Sequence, residues 1–267
     1  MARIALGLAA LAATFCAYAL DPSYKAWDEL LKKHVRYVQD GNASRVDYAG
    51  FARDRAALKA VLDDDQKVTK PEFDGWSKPQ QQAFLVNAYN AFTIEKVLTR
   101  YPKIASIRDF GTVFGNPWKD KFFTLFGEPA YLDRVEHEIL RKEGVYDDPR
   151  VHVAVVCASI GCPMLSRDAF TAENLEPQLE AAMKRFLSDR TRNRYNPQTK
   201  KLEISRIFDW YGKDFEKGHK GYTSVKATMA KYADQLADKP EDRAAVREQK
   251  ADISFLDYDW SLNDTRQ

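Results

Sequence analysis

The sequence lacks an excess of charge of either sign. Its 267 residues include 41 Lys and Arg and 39 Asp and Glu, and the two signs alternate without long like-charged blocks. A nucleic-acid-binding surface normally needs a concentrated basic patch, so we expect no nucleic-acid partner. Apolar residues make up 45% of the chain and aromatic residues 12%. This composition excludes a disordered protein and predicts a folded core.

Long apolar runs are also missing, except at the N-terminus. Residues 4–15 are apolar, and Ala17-Tyr18-Ala19 has the small-x-small pattern of a cleavage site. This pattern predicts a secretory signal peptide over residues 1–19 and a mature chain over 20–267 that is periplasmic or secreted. No later run reaches the roughly 18 apolar residues that a membrane span requires, so we expect no stable membrane span after signal removal.

Helical patterns dominate the remaining chain. The spacing of apolar residues predicts helices over residues 27–38, 48–62, 80–100 and 172–187. Ser77 is the predicted N-cap of the third of these helices, which is apolar on so many faces that we expect it to be central. Turn residues between apolar segments predict hairpins at 122–132 and around 195–197. With no repeat and no linker, the sequence predicts one α+β domain, helix-rich, with a small antiparallel or mixed sheet.

Two of the three cysteines remain after the predicted cleavage, and both lie in one short segment. The apolar run 151–156 predicts a buried strand that ends at Cys157. The residues that follow, including Gly161, predict a sharp turn that leads to Cys162. In this setting Cys157 is a nucleophile, half of a disulfide with Cys162, or an inert core residue.

The chain contains four histidines that could serve as a base: His34, His137, His152 and His219. His34 lies among basic residues, which indicates a surface position, and His219 lies in a Gly-containing loop. In a regular strand the spacing of five residues places His152 and Cys157 on opposite faces. His137 is therefore the preferred partner of Cys157.

The residues around His137 complete a candidate catalytic group. Glu136 is positioned to hold the tautomer of the His137 ring and raise its basicity. Arg141 follows one helical turn later on the same face, and the three side chains could instead form a structural ion-pair cluster. Arg141 also replaces the second histidine of a zinc-binding H-E-x-x-H motif. We therefore expect no metal site, and no cofactor is predicted.

Three further polar residues are candidates for binding a substrate. Asn87 and Asn90 lie one turn apart on the apolar third helix, where a buried amide needs hydrogen-bond partners. They hold loop backbone or, alternatively, one of them donates to an oxyanion or orients the histidine. Ser159 has the second half of a Gly-x-Ser-x-Gly elbow but lacks the first glycine.

Several spaced motifs together resemble the family known as domain of unknown function 547. They are FLVNAYNA at 84–91, VEHEILR at 135–141, HVAVVCAS at 152–159 with Cys162-Pro163, FDWYGKDF at 208–215 and YDWSLND at 258–264. The resemblance covers residues 76–263 and implies a single mixed domain, but it implies little about a reaction. In related plant proteins the position of Cys162 can be Ser, which implies that a disulfide is not obligatory.

These features lead us to expect a cysteine-dependent hydrolase or acyl-transferase that acts on an amide or ester, for example in a peptide or cell-wall fragment. Cys157 would attack the carbonyl, His137 would take its proton and Glu136 would orient the ring. The alternative is a non-catalytic peptide- or glycan-binding module with a structural Cys157–Cys162 disulfide. Its groove would be lined by Trp76, Trp118, Tyr131, Trp210, Tyr211 and Trp260. A disulfide that forms and breaks would instead indicate redox chemistry, the weakest of the three options.

Overall fold

The computed structural model describes residues 20–111 and 116–266. The predicted signal peptide therefore lies outside the described residues. The α-helices are α1 (Lys25–His34), α2 (Tyr48–Arg53), α3 (Arg55–Lys67), α4 (Lys70–Asp74), α5 (Lys78–Leu98), α6 (Leu175–Ser188), α7 (Ile207–Trp210), α8 (Val225–Lys231), α9 (Ala233–Leu236) and α10 (Pro240–Arg247). None of these described helices combines the length and the apolar character needed to cross a membrane.

The described strands form three small sheets. They are β1 (Val35–Val38), β2 (Ala43–Val46), β3 (Phe123–Leu125), β4 (Glu128–Ala130), β5 (Arg194–Asn196), β6 (Lys201–Ile204) and β7 (Asp252–Phe255). The pairs β1–β2, β3–β4 and β5–β6 are antiparallel, and β7 adds to β6 in parallel. The predicted helix-rich α+β class is confirmed, and so are the two predicted hairpins.

The first predicted helix ends earlier than its apolar spacing indicates. Helix α1 stops at His34, and the next four residues form β1, in which Val35 pairs with Val46. The sequence of β1 is Val-Arg-Tyr-Val, and β-branched and aromatic residues favour a pleated strand. The predicted helix over 48–62 is likewise divided, between α2 and α3.

Helix α5 is the central element, as its apolar pattern predicts. It begins with a capping box in which the Ser77 side chain accepts from the backbone N–H of Gln80, and the Gln80 side chain accepts from the backbone N–H of Ser77. This arrangement satisfies N–H groups that have no partner within the helix. Every residue from Gln81 to Leu98 except Glu95 is buried, so the helix packs on all of its faces.

The segment before Cys157 is buried, but it is not a strand. Residues Pro149–Val153 form a short 3₁₀ helix, and the chain then continues without regular structure. The Asn90 side chain of α5 binds the backbone of this segment: its Nδ2 donates to the carbonyl of Ala154 at 3.0 Å. The N–H of Val156 donates to Asn90 Oδ1 at 2.9 Å. Because this segment does not alternate between two faces, the argument that His152 points away from Cys157 fails.

Two hydrophobic clusters fill the interior, and the cysteine segment lies where they meet. The larger cluster surrounds α5 and includes Val151 and Val155. The smaller cluster packs around the buried side of α6 and includes Val153. Cys157 packs against the larger cluster and Tyr258 against the smaller one. The fold therefore brings residues from distant parts of the sequence to one place.

Replacing Asn90 with alanine tests the anchor between α5 and the cysteine segment. The change leaves a buried carbonyl and a buried N–H without partners, and each unsatisfied group costs about 1–3 kcal/mol. We expect the free energy of unfolding, measured by urea denaturation, to fall by about 2–4 kcal/mol. The matched control is Asn174→Ala, which removes an exposed amide bonded to Thr171 and should cost no more than about 0.5 kcal/mol. Equal losses in the two variants would contradict the anchoring role.

Candidate active site

A pocket of about 210 Å³ opens beside the cysteine turn. Four residues that the sequence singles out line it together: Cys157, Cys162, Glu136 and His137. His152 also lines it, contrary to the expectation from strand alternation. No group of three or more His, Cys, Asp or Glu side chains in the described parts of the chain is arranged to hold a metal ion.

The two thiols lie against each other. The distance between the sulfur atoms of Cys157 and Cys162 is 2.9 Å, and the backbone N–H of Cys157 also donates to the Cys162 sulfur at 2.9 Å. A disulfide bond is about 2.05 Å long, so these are two free thiols that share a hydrogen bond. Cys162 is buried, whereas Cys157 is partly exposed. A molecule that enters the pocket therefore meets Cys157 first.

The pKa values of the two thiols shift in opposite directions. The hydrogen bond to Cys162 lowers the pKa of Cys157 from 9.0 to about 7, although burial opposes this effect. Ser159 and Tyr258 contribute to the same decrease; their hydroxyl oxygens lie 3.5 Å and 3.1 Å from the Cys157 sulfur. Burial raises the pKa of Cys162 well above its ordinary value. Of the two sulfurs, Cys157 is therefore the one whose thiolate form the site favours.

The C-terminal segment holds the turn between the cysteines. The N–H of Ile160 donates to the carbonyl of Ser261, and the N–H of Gly161 donates to the carbonyl of Asp259, both at 2.8 Å. Gly161 approaches so closely that a β-carbon there would lie 3.0 Å from the backbone N and O of Asp259. A side chain at this position would force the Asp259 backbone to shift by a few tenths of an ångström, so glycine is favoured here.

Two further features fix the shape of the turn. Ala158 has a φ angle of 63°, a left-handed conformation that costs a residue with a β-carbon about 1–2 kcal/mol. The guanidinium of Arg192 donates to the carbonyl of Cys162, and it is itself bonded to Asp189 at 2.8 Å. The surrounding structure thus maintains a backbone conformation that the local sequence does not favour, as is common at functional sites.

One ring nitrogen of His152 is bonded to a carboxylate and the other has no hydrogen-bond partner. Its Nε2 lies 2.8 Å from Asp214 Oδ2, so the neutral ring carries its proton on Nε2 and its lone pair on Nδ1. Nδ1 is buried without a hydrogen-bond partner and lies 3.8 Å from Glu136 Oε1. The ring stacks on Tyr211, with 3.9 Å between the ring centroids. Burial lowers the pKa of His152, which favours the neutral form with a free lone pair.

His137, the base that the sequence favours, has its lone pair in use. Its Nδ1 lies 2.7 Å from Arg141 Nη1, and a guanidinium can only donate. The proton of the neutral ring is then on Nε2, which is 3.7 Å from Asp133 Oδ1. Glu136 does not orient this ring, because its carboxylate accepts from the Tyr89 hydroxyl at 3.0 Å and faces His152. The structure therefore separates the predicted Glu136–His137 pair.

The predicted binding residues have mainly structural contacts. Asn87 Nδ2 donates to the carbonyl of Phe170 at 2.8 Å, and the Phe170 N–H donates back to its Oδ1 at 3.0 Å. Asn87 and Asn90 thus hold loop backbone, and neither lines the pocket. Arg141 lies between His137 and Asp214, and its Nε donates to the Asp214 carboxylate at 2.7 Å. Of the predicted binding group, only Ser159 contacts the Cys157 sulfur.

Two histidines lie away from the site. The expectation that His34 is on the surface is wrong: it is 3% exposed, and its Nε2 is bonded to Asp54 at 2.7 Å. The basic residues beside it in sequence occupy the outer face of α1, while His34 shares the inner face with Trp27. His219 is near Asp147, at 3.4 Å, and does not line the pocket.

The aromatic residues divide into two groups. Four of the six that the sequence proposes for a groove line the pocket: Trp118, Trp210, Tyr211 and Trp260. The other two do not, since Trp76 packs against Phe73 and Phe84 in the core, and the Tyr131 hydroxyl donates to Glu138.

Sequence reasoning missed Asp214 and Tyr258 as site residues. Asp214 lies in the motif at 208–215 and Tyr258 begins the motif at 258–264. Those two motifs are the signal that could have identified both residues, although neither reveals that Tyr258 lines the pocket or that Asp214 binds His152.

The fold and the pocket define a helix-rich α+β protein with an asymmetric pair of thiols. The family model described as "Protein of unknown function, DUF547" matches residues 73–187, so this segment of the chain is similar to that family. The matched segment contains Glu136, His152 and both pocket cysteines, whereas Asp214 and Tyr258 lie beyond it. No curated protein and no solved structure matches the chain.

The reactivity of Cys157 tests its lowered pKa. Because the thiolate is the reactive form, iodoacetamide should alkylate Cys157 with a pH midpoint near 7 in the native protein. Cys162→Ala removes the main stabilising hydrogen bond, so we expect the midpoint to rise and the rate at pH 7 to fall about fivefold to tenfold. Peptide mass spectrometry locates the label, and urea-unfolded protein is the control. Equal rates for native and unfolded protein at pH 7 would refute an activated Cys157.

Proposed function

We propose that the protein is a cysteine-dependent hydrolase or acyl-transferase that acts on an amide or ester. The observation that carries this proposal is the hydrogen-bonded sulfur of Cys157, which is partly exposed in a pocket and acidic enough to be a thiolate near neutral pH. A thiolate is a strong nucleophile that needs no further activation. In the described residues no hydrogen bond joins Cys157 to a histidine, so Cys162 and Tyr258 supply the stabilisation that an imidazolium provides in other thiol enzymes.

The first step is attack of the Cys157 sulfur on the substrate carbonyl carbon. A carbon–sulfur bond forms, and the carbonyl oxygen becomes an oxyanion. The Tyr258 hydroxyl, 3.1 Å from the sulfur, is close enough to donate to the oxygen of a group bonded there. Donors of this kind stabilise the charge that develops in acyl transfer.

His152 is the proposed proton carrier, in place of His137. Its free Nδ1 takes a proton, from the Cys157 thiol or, where Cys157 is already a thiolate, from solvent, and gives it to the leaving amine or alcohol as the bond from the carbonyl carbon to nitrogen or oxygen breaks. Asp214, bonded to Nε2, holds the tautomer that leaves Nδ1 free. Water then attacks the Cys157 thioester and loses a proton to His152, the acid product leaves, and the thiol is restored. An amine or alcohol in place of water gives acyl transfer.

The pocket supports a compact acyl group as the part of the substrate that is bound. A volume of about 210 Å³ is below the range of about 300–1,000 Å³ typical of drug-sized ligands. The indole rings of Trp210 and Trp260 lie 5.7 Å apart beside it. Together with the export proposed from residues 1–19, this favours a peptide or cell-wall fragment with one small or apolar residue in the pocket.

A non-catalytic binding module is the alternative proposal, and one observation favours it. Trp210 is 44% exposed although it belongs to the pocket wall, and exposed aromatic residues often contact ligands. In that case a peptide or glycan would bind against Trp210, and its affinity would be independent of the Cys157 thiol. The structural disulfide of this alternative would remove the thiolate altogether.

A set of matched variants tests the catalytic proposal. With a panel of aryl ester and peptide anilide substrates, Cys157→Ala should abolish turnover, and His152→Ala should lower kcat by about 10²–10⁴, the usual contribution of a general acid–base. The matched control is His137→Ala, which also changes a pocket histidine and should stay within about fivefold of the wild type. Circular dichroism and thermal unfolding verify that each variant is folded.

Three outcomes of this experiment count against the assignment. Full activity in Cys157→Ala would end the proposal of a thiol nucleophile. A larger loss in His137→Ala than in His152→Ala would return the role of base to His137. Binding of a peptide or glycan that persists in Cys157→Ala, without turnover by any variant, would favour the binding module.

A further inference from the structure

We propose that Cys157 and Cys162 also form a dithiol–disulfide couple that exchanges with external disulfides, with Cys157 as the attacking thiol and Cys162 as the resolving thiol. The acceptor is an organic disulfide, RSSR, small or extended enough to enter the pocket. This activity goes beyond acyl transfer, because the reacting atom of the substrate is sulfur and the protein itself is oxidised and reduced.

The distance between the sulfur atoms is the first support for the couple. At 2.9 Å the sulfurs need to approach by only about 0.9 Å to reach the bond length of about 2.05 Å. The turn is already held by the bonds of Ile160 and Gly161 to the C-terminal segment. The backbone therefore keeps the thiols together in the reduced state, and a disulfide would not need to close a flexible loop.

The difference in exposure assigns the two roles. Cys157 is partly exposed and lines the pocket, whereas Cys162 is only 4% exposed. Thiol–disulfide exchange requires the attacking sulfur to reach the disulfide along its axis, and Cys157 is the more accessible of the two for this contact. The second sulfur has to reach only the first one, and Cys162 already touches it.

Acidity supports the same order of events. The pKa of Cys157 is lowered to about 7, mainly by its hydrogen bond to Cys162, and an attacking thiol is most effective when its pKa is near the ambient pH. Burial raises the pKa of Cys162, and so do the hydrogen bond to Cys157 and the charge of its thiolate, which keeps Cys162 protonated while that thiolate is present. Formation of a mixed disulfide on Cys157 removes that negative charge, so Cys162 loses its proton more easily when it is needed.

The exchange balances in two steps. The Cys157 thiolate attacks one sulfur of RSSR, so a Cys157–SR bond forms and RS⁻ leaves. The Cys162 thiol then gives its proton to solvent and attacks the Cys157 sulfur, so the Cys157–Cys162 bond forms and a second RS⁻ leaves. The protein loses two electrons and RSSR gains two. The reverse sequence, driven by excess thiol, restores both cysteines.

The test uses the reduced full chain with oxidised glutathione at pH 7, followed by an acid quench and tryptic mass spectrometry. Both cysteines lie in the tryptic peptide 151–167, and Cys16 lies in a different one. In the wild type we expect this peptide to become two hydrogen atoms lighter, with no lasting glutathione adduct. Excess reduced glutathione should restore the original mass.

Two variants separate the roles of the cysteines. Cys162→Ala should accumulate a stable glutathione adduct on Cys157, because no resolving thiol remains. Cys157→Ala should react at least about 20-fold more slowly than the wild type, because the remaining thiol is buried and has a raised pKa. If Cys162→Ala fails to fold, Cys162→Ser takes its place in the experiment.

Three results would overturn the couple: a lasting glutathione adduct in the wild type, no reaction of either cysteine, or equal rates in wild type and Cys157→Ala. Ester hydrolysis by the reduced wild type is measured in parallel. Hydrolysis without exchange would reject this inference and leave the proposed acyl transfer intact. Exchange without hydrolysis of any substrate would support the dithiol–disulfide couple and count against the proposed acyl transfer.

Discussion

The hydrogen bond between the thiols of Cys157 and Cys162 is the interaction on which the chemistry of the site depends. It lowers the pKa of Cys157 more than the two neighbouring hydroxyl groups do, and it leaves Cys162 as the protonated partner. Burial alone would have the opposite effect on Cys157, because a desolvated thiolate is unfavourable. The acidity of Cys157 is thus a property of the pair, and removal of the Cys162 thiol should weaken it.

Much of the fold maintains this contact. Asn90 of α5 fixes the chain that enters the turn, through Ala154 and Val156. The C-terminal segment fixes the turn itself, where Gly161 meets Asp259. The central helix and the last residues of the chain therefore act on the same six-residue loop from two sides. Such a buried and multiply bonded frame favours a preorganised site over one that forms only when a ligand binds.

Elements that depend on local signals could be predicted from the sequence, whereas elements that depend on distant partners could not. The Ser77 cap and the apolar pattern of α5 are local, and both predictions are confirmed. The apolar run before Cys157 is equally compatible with a buried strand and a buried helical turn, and the distant Asn90 side chain provides partners for its backbone. The wrong choice of strand led directly to the wrong orientation of His152. Asp214 reaches His152 from 62 residues away, a distance over which spacing rules carry no information.

The central claim is that Cys162 stabilises the Cys157 thiolate, and the most direct measurement is an ultraviolet absorbance titration of the thiolate in the reduced protein. The signal of Cys157 is the difference between the wild type and Cys157→Ala. We expect a step near pH 7 in the wild type that moves to higher pH in Cys162→Ala. A step near the value of about 8.5 expected for a free cysteine, unchanged when Cys162 is removed, would contradict it.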